Sequence, residues 1–233
     1  MIAPETAGIL SGILQIASFA VMIQPVAWPR PGQPRQQPHR VSWLGWVCLY
    51  QVMTWASYAR GATGSLWIVG AEAAGTLTMF GLSLKWGAGS LRLIRLSRAA
   101  PWVAVTSWPD FLVLCGTAAG LGSWQLTSSA SLGIILTVAV DTIAALPLIG
   151  LLLRKPRTVS LPAWAISGLA SLAAIFSVAA GQPVVLELYP ATGLALDVVV
   201  VAAIVVGYQA AGRHARHKGL LALARGHARS GIG

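Results

Sequence analysis

LGIILTVAVDTIAALPLIGLLL, Leu132 to Leu153, is a run of 22 residues with one charge, Asp141, and one proline, Pro147. A helix needs about 20 mainly apolar residues to cross the hydrocarbon core of a bilayer, so this stretch predicts a membrane span. Arg154, Lys155 and Arg157 follow at once. Lysine and arginine gather on the cytoplasmic side of a span. The stretch therefore also predicts an orientation.

Six further stretches read the same way. They run about Ala7 to Val26, Val41 to Tyr58, Ser65 to Leu84, Phe111 to Leu126, Leu161 to Ala180 and Val185 to Val206. The fourth in chain order is short and carries Gly116, Gly120 and Gly122. The whole composition agrees: 56 % of the 233 residues are apolar and 9 % charged, with a mean hydropathy of +0.71. A soluble domain is about 25 % charged. A soluble enzyme, a secreted disulfide scaffold and a disordered chain are excluded, and seven spans leave room only for short loops and a tail.

Charge tests the count. With seven spans, one side holds Arg30, Arg35 and Arg40, then Lys85, Arg92, Arg95 and Arg98. It also holds Arg154, Lys155, Arg157, Arg213, Arg216, Lys218, Arg225 and Arg229, making 15 of the 16 basic residues. Arg60 alone falls on the other side. A wrong count would scatter them. The expectation is an all-α polytopic membrane protein, N-terminus outside and C-terminus cytoplasmic. The net charge of +10 then reflects topology and a weak attraction to anionic lipid heads, and no basic domain exists to bind nucleic acid. The tail, about 209–233, is basic and is expected on the membrane surface.

The N-terminus lacks the basic segment of a cleaved signal, having only Glu5 ahead of the apolar run. Cys48 and Cys115 fall inside spans and imply no disulfide framework. His214 and His217 lie in a basic tail and make no metal site on their own, so no metal and no cofactor is expected. Phosphate-loop and dinucleotide fingerprints are absent, and Gly87-Ala88-Gly89 reads as a helix stop.

An internal repeat is visible. Val41-Ser42-Trp43-Leu44-Gly45-Trp46 opens the second span and Val159-Ser160-Leu161-Pro162-Ala163-Trp164 the sixth. The spans before them each carry a late proline, at Gln24-Pro25 and Leu146-Pro147. The pattern is a 3+1+3 arrangement: a repeat over about 7–86, a linking helix over about 109–126 and a second repeat over about 131–208. An odd number of spans per unit plus one linker makes the two units parallel.

This arrangement resembles the SWEET and PQ-loop superfamily. Gln24-Pro25 lies where that family carries a Pro-Gln pair, here in inverted order, and Leu146-Pro147 lacks the glutamine. Ser42-Trp43-Leu44-Gly45-Trp46, Asp141 to Pro147 and Leu188-Tyr189-Pro190 look like a family of uncharacterised bacterial membrane proteins related to that fold. The resemblance implies two three-helix bundles facing a central cavity. It implies hinges at Pro25, Pro147 and Pro162. It also implies a substrate site using polar residues of the third helix in each unit, here Glu72 and Thr192.

Three carboxyls lie deep in spans: Glu72, Asp141 and Asp197. A charge at the bilayer centre costs about 2.5–3.5 kcal/mol or more, so an acid there is a candidate functional residue. Asp141 and Asp197 share a depth of roughly 15 Å from the outer edge, and Glu72 lies at roughly 10 Å. No span carries a lysine or arginine to pair with them. Asp110 and Glu187 fall near span ends and read as interfacial. Among ten tryptophans, Trp28, Trp86, Trp102 and Trp108 fit a cytoplasmic aromatic belt and Trp67 an outer one. Trp46 and Trp164 stand at matching places in the two units and are expected to line the cavity.

Three function classes fit these residues. One is a transporter, proton-coupled through its acids, of a small neutral or cationic solute. Another is a terpene cyclase in the membrane, with Glu72, Asp141 or Asp197 as catalytic proton donor and tryptophan faces stabilising a carbocation. That resemblance is one of size, span number and acid placement. The third is a non-catalytic accessory subunit. The expected partners are a small molecule and the lipid bilayer, and the oligomeric state stays open.

Overall fold

A computed structural model describes the backbone of residues 3–32, 35–87, 92–97, 100–104, 108–127, 129–178 and 182–230. Among the described residues there are seven α-helices: α1 Pro4–Ala27, α2 Arg40–Ala59, α3 Leu66–Trp86, α4 Trp108–Thr127, α5 Ala130–Arg154, α6 Leu161–Ile175 and α7 Val185–Ser230. Four are long and apolar enough to cross a membrane: α1, α3, α5 and the part of α7 from Val185 to Arg213.

Local chemistry sets most of the helix starts. Pro4 and Glu5 occupy the first turn of α1, where proline costs no hydrogen bond and an acid meets the positive end of the helix. Ser129 and Ser160 cap α5 and α6, accepting hydrogen bonds from the backbone N–H of Leu132 at 3.3 Å and of Ala163 at 3.4 Å. Pro162 stands in the first turn of α6. It opens that helix rather than interrupting it, unlike the hinge expected there. Pro25 lies inside α1 near its C-terminal end, and Pro147 falls within the range of α5. Pro190 lies inside α7, a helix in which no hinge was expected.

Three elements differ from the sequence expectation. The sixth stretch, expected to reach Ala180, ends as a helix at Ile175. The Ser177 N–H and hydroxyl both bond the Ala174 carbonyl, at 3.0 and 2.6 Å, and tighten the chain into a turn. The connection between α3 and α4, expected as a plain loop, contains a short antiparallel ribbon in an otherwise helical chain. In it β1 Arg92–Ser97 pairs with β2 Ala100–Ala104, with Leu93 opposite Val103 and Ile94 opposite Trp102. The helix of the last stretch, expected to end near Val206, continues to Ser230.

The packing follows one scheme. α3 packs on α1 and α2, and α7 packs on α5 and α6. Across the middle, α1 packs on α6 and α2 on α5, while α4 lies against α2 and α5. Leu49, Met53, Ile68 and Ile134 are fully buried in the main apolar cluster, and Leu152, Val200 and Ile204 form a second one between α5 and α7. The outside is apolar as well: Ile13 is 58 % exposed and Ile16 62 %, while Ser11, Gln15 and Ser18 on the same helix are buried. Polar groups inside and aliphatic ones outside suit a lipid solvent.

The two ends of the helices differ in character. At one end Arg40 Nε donates to the Ser83 carbonyl at 3.0 Å, and the Arg35 guanidinium lies 4.5 Å from the centre of the Trp86 ring. At the other end Gln182 donates to the Gly61 carbonyl at 3.2 Å. There Gly8 meets Gly64 so closely that an added Cβ would run into the Gly64 backbone. Gly61 itself has φ +76°, a conformation that glycine adopts without steric cost.

Candidate functional site: a cavity holding three carboxyls

Helix periodicity builds the site. Residues three or four apart share a helix face, and one such face from each of six helices meets in a central cavity. From α1 come Gln15, Phe19 and Met22, and from α2 Trp43, Trp46 and Tyr50. From α3 come Glu72 and Thr76, and from α5 Asp141 and Ala145. From α6 come Trp164, Ser167 and Ser171, and from α7 Tyr189, Gly193, Leu196, Asp197 and Val200. The cavity measures about 60 Å³.

All three expected acids therefore share one space. Glu72 is 7 % exposed, Asp141 9 % and Asp197 5 %. They lie near enough to interact electrostatically with one another, and the lining includes no lysine, arginine or histidine. Among the described residues, no group of three or more His, Cys, Asp or Glu is placed to hold a metal ion.

Each acid has its own polar neighbours. The Ser171 hydroxyl donates to Asp197 Oδ2 at 3.0 Å. Gly193 on α7 makes that reach feasible, since a Cβ there would sit 3.2 Å from Ser171 Oγ. Ser167 lies beside Asp197 too, and its hydroxyl donates to Gln15 Oε1 at 3.3 Å across the α1–α6 seam. The Tyr189 hydroxyl lies beside Glu72. The Tyr50 hydroxyl and the Trp46 indole lie beside Asp141. The indole contact falls short of hydrogen-bond geometry, so the buried Trp46 Nε1 has no hydrogen-bond partner among the described residues.

Aromatic rings form much of the wall. Trp43 and Trp46 meet nearly at right angles with centres 4.9 Å apart, and Tyr50 and Tyr189 do so at 6.0 Å. Phe19 leans on Trp43 at 6.3 Å.

Trp46 and Trp164 line the cavity, as their matching places suggested. Thr192 does not. Its hydroxyl donates to the Leu188 carbonyl of its own helix at 2.7 Å, and its neighbour Gly193 lines the space instead. Glu72 and Thr192 are therefore not a cavity pair. Sequence reasoning passed over Gln15, Tyr50, Ser167, Ser171 and Tyr189. A signal existed for some of them: Gln15 is an amide in the middle of an apolar run, and Ser167 and Ser171 stand four apart on one face.

Comparison of the chain with protein-family models, with curated proteins and with solved structures finds no match to any of them.

Proposed function

We propose that this protein is a seven-span membrane transporter of a small solute, proton-coupled, with its N-terminus outside and its C-terminus in the cytoplasm. The observation that carries the proposal is the cavity: Glu72 from α3, Asp141 from α5 and Asp197 from α7 line one space without a basic residue. Buried acids in transporters bind and release protons, and a site between two repeats suits alternating access.

The packing scheme supports two parallel units. Exchanging α1, α2 and α3 for α5, α6 and α7 carries every contact within one unit onto the other, and carries the α1–α6 seam onto the α2–α5 seam. This is the arrangement that a SWEET-like or PQ-loop-like chain would have, with α4 as the linker. Rocking one unit against the other would open the cavity to one side and then the other.

Cavity size weighs against the cyclase. Pockets that take organic ligands measure about 300–1,000 Å³, and this one measures about 60 Å³. In this conformation a solute of a few atoms matches the space better than a prenyl chain does.

Purified protein in liposomes carrying an internal pH-sensitive dye tests the proposal. A panel of small neutral and cationic solutes is added outside under an imposed pH gradient. At least one is expected to drive proton movement. Glu72→Gln, Asp141→Asn and Asp197→Asn are each expected to reduce that movement roughly ten-fold or more, the loss of one charge-assisted interaction. Solute-independent dye traces, with cyclised products from a prenyl substrate, would sink the transporter.

A further inference from the structure

We infer that the cavity takes a small protonated amine carrying a neutral hydrogen-bond acceptor, of the size and chemistry of an amino alcohol. The inference rests on the transporter reading for its cargo, and on the cavity alone for its chemistry.

Charge comes first. Three carboxyls face a space lined by no basic side chain, so an anion meets only repulsion and a cation is complementary. The rings reinforce this. The corner between two perpendicular rings, such as Trp43 and Trp46, is bounded by ring faces, which attract cations. A bare metal ion is disfavoured, because the acids are not placed as a ligand set. An ammonium carries three donors and needs no such ligand set, and the acids reach the space from three different helices.

The acceptor comes from Trp46. Its side chain is 8 % exposed and lines the cavity, and its Nε1 has no hydrogen-bond partner among the described residues. An indole N–H is a donor only, and a buried donor gains from an acceptor that meets it in good geometry. A hydroxyl or carbonyl oxygen on the solute would satisfy it. A carboxylate would not serve, since Asp141 lies beside the same indole.

Size agrees. A water needs about 10–15 Å³ of such space, so about 60 Å³ holds roughly four water-sized positions. Ethanolamine has four non-hydrogen atoms.

Exchange with protons follows from the same groups. An ammonium and a proton compete for the same carboxylates, so arrival of the cation displaces a proton to solvent. That coupling is antiport, one proton leaving for each charge that enters.

The test is binding to the full chain in lipid nanodiscs by isothermal titration calorimetry, separate from any flux. The probes are ethanolamine, ethylamine, which lacks the acceptor, and ethylene glycol, which lacks the charge. The expected order is ethanolamine tightest, ethylamine roughly ten-fold weaker and ethylene glycol weakest, one hydrogen bond or one charge being lost at each step. Trp46→Phe is expected to narrow the preference for ethanolamine over ethylamine from about ten-fold to about two-fold or less. Equal binding of ethylene glycol and ethanolamine, or binding of none of the three at millimolar concentration, overturns the inference. Because the order is read on the wild-type chain, a variant that fails to fold does not rescue it. Amine binding without amine-driven proton movement in liposomes leaves this inference standing and removes the transporter.

Discussion

Hydroxyl groups in this protein divide by what they reach. Thr76, Thr137, Thr142 and Thr192 each donate to the carbonyl four residues back, at 2.7–2.8 Å. A threonine so occupied is satisfied within its own helix and tells little about neighbours. Ser18, Ser167 and Ser171 instead donate to Ala163, Gln15 and Asp197 on other helices. Ser171→Ala is therefore expected to lower stability by about 1 kcal/mol, seen as a lower thermal midpoint in nanodiscs. Thr192→Val is expected to stay within about 0.5 kcal/mol of the wild type. The acids were legible in the sequence because burying a carboxyl in lipid costs enough to need a reason. Thr192 misled because aligning two repeats fixes helix and depth but not rotation. One residue turns the side chain by about 100°, which is the difference between Thr192 and Gly193.

At the scale of the element, hydropathy located five of the seven helices to within a few residues at both ends, α5 at Ala130–Arg154 against an expected Leu132 to Leu153. It failed where another force governs. The β1–β2 ribbon lies in a segment read only for its charges, although Leu93, Ile94, Trp102 and Val103 have the residue types that strands favour. Small residues set how closely helices approach, and they divide sharply. A Cβ on Gly8 would meet the Gly64 backbone, whereas one on Gly70 would meet nothing within 4 Å. Gly8→Ala is expected to cost about 1–3 kcal/mol, since backbone cannot step aside. Gly70→Ala is expected to be neutral or to stabilise by up to about 1 kcal/mol. Denaturant titration of both variants in mild detergent checks the contrast, and equal effects would contradict the close approach of Gly8 to Gly64.

At the scale of the molecule, the proposed topology makes a prediction that needs no ligand. Arg30 follows α1 and Arg60 follows α2, so the two lie at opposite ends of the bundle, and both are exposed. With Cys48 and Cys115 replaced by alanine, a membrane-impermeant maleimide is expected to label Arg60→Cys in intact cells and Arg30→Cys only after lysis. The reverse pattern would invert the orientation. Labelling of both in intact cells would refute an odd number of crossings between them. The expected orientation rests on charge asymmetry, since the seven-span reading puts fifteen of the basic residues on one side. Which helix packs on which was not legible from charge or hydropathy, since every span looks alike to lipid. It came from the small and polar faces that only the assembled bundle brings together.

The 46 residues of α7 make a rod about 69 Å long, more than twice the thickness of a hydrocarbon core. From Asp197 to its last residue is about 50 Å along the axis. A tilt of only ten degrees about the cavity would swing the far end through about 9 Å on that arm. The molecule thus carries its own pointer. Any such tilt, small at the carboxyls, would be displayed magnified at the far end of the helix.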